Sequence, residues 1–155
     1  PLTLKEYPLL RAVKPTSEDP DSWPKLISLS NGDEFAFIFF IINSNYIYSA
    51  VNTKLSLLRN DAHHFTATLR ADNAEPVRQS IEIAHNCSNP VFSHISNNWY
   101  FMYDESKQSL PMPSGQTGLE VLKPTGINLG NLPSMYAGMS NFIIKFKYSC
   151  SDRKN

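Results

Sequence analysis

The chain has little charge, and neither sign is in excess. Its 155 residues carry 14 Lys and Arg against 14 Asp and Glu, and only 18% are charged. Binding of nucleic acid draws on a basic surface that displaces phosphate counterions, so no nucleic-acid partner is expected. The only basic doublet is the Arg153-Lys154 tail, which excludes a polybasic membrane anchor. Long hydrophobic runs are missing too. The longest extends from Phe35 to Ile42, far short of the roughly 20 residues a spanning helix needs, so no membrane insertion is expected. No nucleophile elbow, phosphate loop, dinucleotide fingerprint or calcium loop is present, and no cofactor is expected. Helical periodicity is nearly absent: Tyr7 to Val13 and Ala74 to Ala84 are the only marginal candidates. There are no internal repeats and no low-complexity tract. The first residue is Pro1 rather than Met, which reads as a processed or trimmed chain.

What is present is β-sequence. Apolar residues make up 41% and aromatic residues 12%, enough to bury a single core. Short alternating segments recur between turn signals, the rhythm of an all-β sandwich or barrel. Lys25 to Leu29 leads into Ser30-Asn31-Gly32-Asp33, whose Asn-Gly pair predicts a tight hairpin into Glu34 to Asn43. That second segment is apolar enough to be buried on both faces. Ser44-Asn45 is a possible turn before Tyr46 to Tyr48. Val51, Thr53, Leu55 and Leu57 share one face of the next strand. Phe65 to Ala71 and Val77 to Ala84 follow, separated by Asp72-Asn73. Val91 to Ile95 predicts a short strand, and Trp99 to Tyr103 a separate aromatic one. Asp104 to Gly118 reads as a loop, and Leu119 to Leu122 as a strand stopped by Lys123-Pro124. The last strand runs from about Asn141 to Cys150, with Phe142, Ile144, Phe146 and Tyr148 on one side.

One domain, residues 1–155, accounts for all of this. Residues 1–13 form a possible N-terminal donor or edge strand, and residues 14–24 a proline-rich acidic loop. The two cysteines, Cys87 and Cys150, suit one long-range disulfide in an oxidising compartment, worth about 4 kcal/mol. That pairing predicts a secreted or cell-surface protein. His85, Cys87 and His94 could instead hold zinc, or pair a thiol with a base, but the spacing matches no compact zinc motif and no oxyanion hole is legible. His63 and His64 read as loop residues, and Asp104-Glu105 as surface carboxylates. Asn86-Cys87-Ser88 fits the N-glycosylation pattern with an unusual middle residue. Tyr46, Tyr48, Trp99, Tyr100 and Tyr103 are the candidate ligand-binding residues, since an exposed aromatic ring stacks on the CH face of a sugar. The competing reading of the same rings is core packing.

Tyr136-Ala137-Gly138 followed by a strand ending near Tyr148 resembles the last strand of chaperone–usher fimbrial subunits. Asn97-Asn98-Trp99-Tyr100 and Val121-Leu122-Lys123-Pro124-Thr125 resemble stretches in polyadhesin-like subunits of that family. The resemblance covers about a third of the chain. It implies an immunoglobulin-like, Greek-key β-sandwich that assembles by strand complementation, with Leu2 and Leu4 as donor anchors. Glu6 and Pro8 interrupt the donor pattern, and the wide spacing of the cysteines departs from many such subunits. The implied partners are a host glycan or surface protein, other subunits, and a periplasmic chaperone. The chain is accordingly expected to be a non-enzymatic binding module of a fimbrium or adhesin. A viral receptor-binding head, and a small secreted enzyme or inhibitor, are the alternatives.

Overall fold

A computed structural model describes residues 9–14, 26–43, 45, 47–134 and 139–151. Pro1 to Pro8 of the expected donor segment, the acidic loop beyond Lys14, Tyr46, the Tyr136-Ala137-Gly138 turn and the tail after Ser151 lie outside the described residues.

Among the described residues there are nine strands: β1 (Leu10–Val13), β2 (Leu26–Ser28), β3 (Glu34–Ile41), β4 (Ala50–Arg59), β5 (His64–Ala71), β6 (Ala74–Ala84), β7 (Pro90–Phe101), β8 (Ile127–Leu132) and β9 (Ser140–Cys150). They form two sheets, ordered β1-β3-β9-β7 and β2-β6-β5-β4-β8. The inner faces pack on each other as a β-sandwich. Phe37 of one sheet meets Phe65 of the other with ring centroids 5.0 Å apart, and Phe65 meets Phe92 at 5.7 Å. Phe35, Phe39, Phe142, Leu55, Ile83 and Ile127 are fully buried between them. Among the described residues neither marginal helix candidate is helical, because β-branched and aromatic side chains fit a pleated, half-buried surface. Ala74 to Ala84 is β6, and the described part of Tyr7 to Val13 contributes β1.

Only β4–β5 and β5–β6 are consecutive neighbours; every other connection passes from one sheet to the other. This corrects the hairpin expected at Asn31-Gly32. β2 pairs with β6, in parallel, while β3 pairs with β1 and β9. The turn still needs the left-handed backbone that glycine permits, with Gly32 at φ +92°. The turn closes on itself, with the Asp33 N–H donating to the Ser30 carbonyl at 2.9 Å, and its tip is tied to β9. The Gly32 N–H donates to the Tyr148 carbonyl at 2.9 Å, and Asn31 Oδ1 accepts the Cys150 N–H at 2.8 Å.

Three further elements differ from expectation. Val91 to Ile95 and Trp99 to Phe101 are one strand, β7, whose register shifts between His94 and Ser96. A bulge there preserves pairing with β9 while interrupting the alternation. In β4, Asn52 takes φ +54°, and Val51 turns away from the face that Thr53, Leu55 and Leu57 keep. Leu119 to Leu122 belongs to a 3-10 turn, Gly118–Leu122, which drops the Val121 side chain into the core.

β9 behaves as expected. Phe142, Ile144, Phe146 and Tyr148 are buried, and Lys147 is exposed. β3 and β7 flank it on both sides within the same chain. Cys150 at its end is bonded to Cys87, so the predicted disulfide joins β9 to the segment after β6 and thus one sheet to the other. β3 is buried on both faces as its composition predicted: Ile38 and Phe40 form a second cluster with Val13 on the outer face.

Candidate functional site

The loops at one end of the sandwich are built on asparagine. Asn43 Nδ2 reaches the carbonyls of Tyr48, Leu132 and Pro133 at 3.0, 3.1 and 3.2 Å, tying the β3–β4 connection to the end of β8. Asn45 Oδ1 accepts the N–H groups of Ile47 and Tyr48, both at 2.8 Å. Asn73, in the two-residue β5–β6 turn, accepts the Val51 N–H and donates to the Ser49 carbonyl. Asn131 Oδ1 takes the Asn52 N–H at 2.8 Å. These amides replace backbone pairing where the strands end, so the loop end is ordered by side chains. Replacing Asn43 by Ala is expected to cost about 1–2 kcal/mol in urea unfolding, because three carbonyls lose their shared donor. An unchanged midpoint would show that these loops hold without it.

A small, mostly apolar pocket of about 230 Å³ opens against this end. Trp99 and Phe101 of β7 form one wall; Pro111, Pro133, Asn131 and Ser140 are among the others. Trp99 is nearly buried, and its indole N–H donates to Ser140 Oγ at 2.9 Å. Phe101, at the end of β7, is 43% exposed. The chain beyond it is set by Asp104, whose carboxylate accepts the Ser106 hydroxyl and the N–H groups of Ser106 and Gln108. The Ser106 hydroxyl first, then these backbone donors, hold the Asp104 carboxyl below its ordinary range. The Leu110 N–H then bonds the Trp99 carbonyl at 2.6 Å, bringing Pro111 and Pro113 against the pocket.

Of the five candidate aromatic residues, the four that are described do not form one exposed platform. Trp99 and Tyr100 are 9% and 8% exposed, on opposite faces of β7. Burial raises the Tyr100 phenol above its ordinary value. Tyr48 and Tyr103 are well exposed, and Tyr46 lies outside the described residues. Phe101, Pro111, Asn131 and Pro133, which line the pocket, are not among the residues the sequence marks as candidates. Nothing local marks these residues, because the pocket joins segments far apart in the chain.

The histidine–cysteine reading is overturned. Cys87 is consumed in the disulfide and offers no thiolate to a metal or a substrate. His85 is buried, with Nε2 donating to the Ala62 carbonyl at 2.7 Å and Nδ1 accepting the Cys87 N–H at 3.1 Å. His63 stacks on it with centroids 4.3 Å apart. His94 instead meets the ring of Phe146. No cluster of three or more metal-ligating side chains occurs among the described residues. Among these residues, no helix is long and apolar enough to cross a membrane. Asp61 supports the β4–β5 turn, accepting the His63 and His64 N–H groups, and its carboxyl is held low mainly by the His63 N–H.

Comparison with protein-family models, with curated proteins and with solved structures finds no match.

Proposed function

We propose that this chain is an extracellular binding module of the adhesin kind, which recognises a sugar at the Trp99–Phe101 pocket. The observation that carries the reading is Phe101. A half-exposed aromatic ring at the mouth of an apolar pocket, with an amide beside it, suits the CH face of a pyranose while the amide meets a hydroxyl. Trp99 is too deeply buried to stack on the ligand itself. The interior disulfide fits an oxidising location. The Greek-key, immunoglobulin-like description belongs to the same proposal; it is supported by the chain changing sheet at six of the eight connections between these strands.

Assembly with like subunits by strand addition needs an acceptor other than a gap beside β9, because β3 and β7 already occupy both of its edges. The long outer edge of β7 is the acceptor we assign to that role.

A glycan array probed with the intact chain tests the reading. Binding should appear and fall at least tenfold in Phe101→Ala, with the thermal midpoint little changed because the ring is half exposed. Trp99→Ala is the poorer probe: emptying a buried indole site costs about 3–5 kcal/mol and confounds binding with folding. A blank array, or binding indifferent to Phe101, sinks the proposal.

A further inference from the structure

Three cations meet on the outer face of the five-stranded sheet. Leu55 and Leu57 of β4, Phe65 and Ala67 of β5, and Ile81 and Ile83 of β6 are buried in the core, so the residues between them face outward. Thr66 and Ser80 show the shared face directly, with hydroxyls 2.7 Å apart. On this face the register sets Lys54 of β4 straight across from Arg70 of β5. It also sets Arg78 of β6 across from Thr68, which makes Arg78 the diagonal neighbour of Arg70. Opposed residues on one face have Cβ atoms about 5 Å apart, and diagonal ones roughly 7–8 Å. The three side chains therefore surround Thr68 within reach of a single anion. Lys54 is half-buried, and Arg70 and Arg78 are exposed.

No carboxylate balances them: among the described residues, none of the three forms an ion pair. Glu82, on the same face, lies beside His64, and Glu120 is paired with Lys123. Asp72 accepts from Asn52. Glu75, next to the register shift at Arg70, is not within ion-pair distance of any of them. Like charges placed directly opposite destabilise a sheet, so the Lys54–Arg70 pair favours an anion that joins it. Arg70 finds only the carbonyls of Pro124 and Thr125, at 3.5 and 3.3 Å, and both bonds use Nη2. They draw the guanidinium toward β4 and leave its other N–H groups free, a planar fork suited to an oxyanion. The surroundings select among anions. Thr66, Thr68 and Ser80 offer hydroxyls for a sugar, and β4, β5 and β6 present no Phe, Tyr or Trp on this face for a nucleobase to stack on. A chain of zero net charge also lacks the wide basic surface a nucleic acid needs.

We propose that this face binds a sulfated glycan, with a sulfate group seated among Lys54, Arg70 and Arg78. The site shares no residue with the Trp99–Phe101 pocket and stands without it.

A fluorescein-labelled heparin oligosaccharide serves as the probe, titrated into the intact chain at low salt. Saturable binding is expected, weakening as salt rises. Arg78→Gln should weaken it at least threefold, and the Lys54→Gln, Arg78→Gln double variant at least tenfold. Lys147→Gln makes the same change of charge on an exposed residue of the other sheet and should leave binding unchanged, as should Phe101→Ala. If the double variant does not fold, Arg78→Glu, at an exposed position, takes its place with the same expected loss. Desulfated heparin, which keeps its carboxylates, should not bind. No saturable binding overturns the site, and so does an equal loss in Lys147→Gln. Equal affinity for desulfated heparin, or for a single-stranded oligonucleotide of similar length, overturns the choice of sulfate on a sugar.

Discussion

Reduction of the Cys87–Cys150 disulfide should lower the stability of this protein by about 4 kcal/mol and its melting temperature by about 10–15 °C, without changing the native fold at 25 °C. The crosslink closes a loop of 63 residues. That loop carries β7, β8 and all of β9, so breaking it releases a large part of the unfolded chain. The native contacts around it do not depend on the bond. Cys87 keeps its N–H on His85, Cys150 keeps its N–H on Asn31, and Pro90 still pairs with Cys150 across β7 and β9. The loss therefore falls on the unfolded state, as added entropy, rather than on packing. Against a typical stability of about 5–15 kcal/mol, most of the population remains folded but far closer to the threshold. Urea melts of wild type and of a Cys87→Ser, Cys150→Ser double variant measure this. The midpoint should fall substantially while the near-ultraviolet spectrum at zero denaturant persists. A fall in melting temperature below about 3 °C would show that the sheets are held together without the crosslink.

The parts of this fold legible in the sequence are those where one strand face alone meets the core. β9 is the clear case: Phe142, Ile144, Phe146 and Tyr148 alternate with polar or half-buried residues, and each lands inside. The cysteine pairing was legible because only two cysteines exist. Features that alternation cannot encode were lost. The bulge in β7 at Ile95 splits one strand into two apparent ones, and the polar pair Asn97-Asn98 looks like a turn although it sits in the strand at the sheet edge. Asn52 takes a left-handed backbone within β4 and shifts its register, so Val51 leaves a face that its spacing assigned to it. Asn-Gly fixes a backbone conformation but says nothing about which sheet the next strand joins. The candidate site was half visible for the same reason. Trp99 stood out as an aromatic residue, but its burial depends on Ser140 and on the loop that brings Leu110 to its carbonyl.

Gly126→Ala should destabilise the fold by about 3 kcal/mol, whereas Gly130→Ala, only four residues away, should cost about 1 kcal/mol. Both glycines have a left-handed backbone, φ +74° and φ +72°, and so share the strain that any side chain would bring. Their surroundings differ. A Cβ on Gly130 meets nothing within 4 Å. A Cβ on Gly126 would lie 2.5 Å from the Leu55 carbonyl oxygen and 2.9 Å from its carbon. Those are backbone atoms of β4, fixed by pairing with β5 on one side and β8 on the other, and they cannot swing aside as a flexible side chain would. Relief requires β8 to shift against β4, just where Ile127 pairs with the fully buried Leu55. The gap between the two variants therefore isolates the steric cost from the backbone cost. Parallel urea melts resolve it, since a difference of about 2 kcal/mol is well beyond the usual scatter of such extrapolations. Equal costs for the two alanines would mean that β8 moves freely on β4, and the close approach of Gly126 to Leu55 would then have no part in holding that sheet edge.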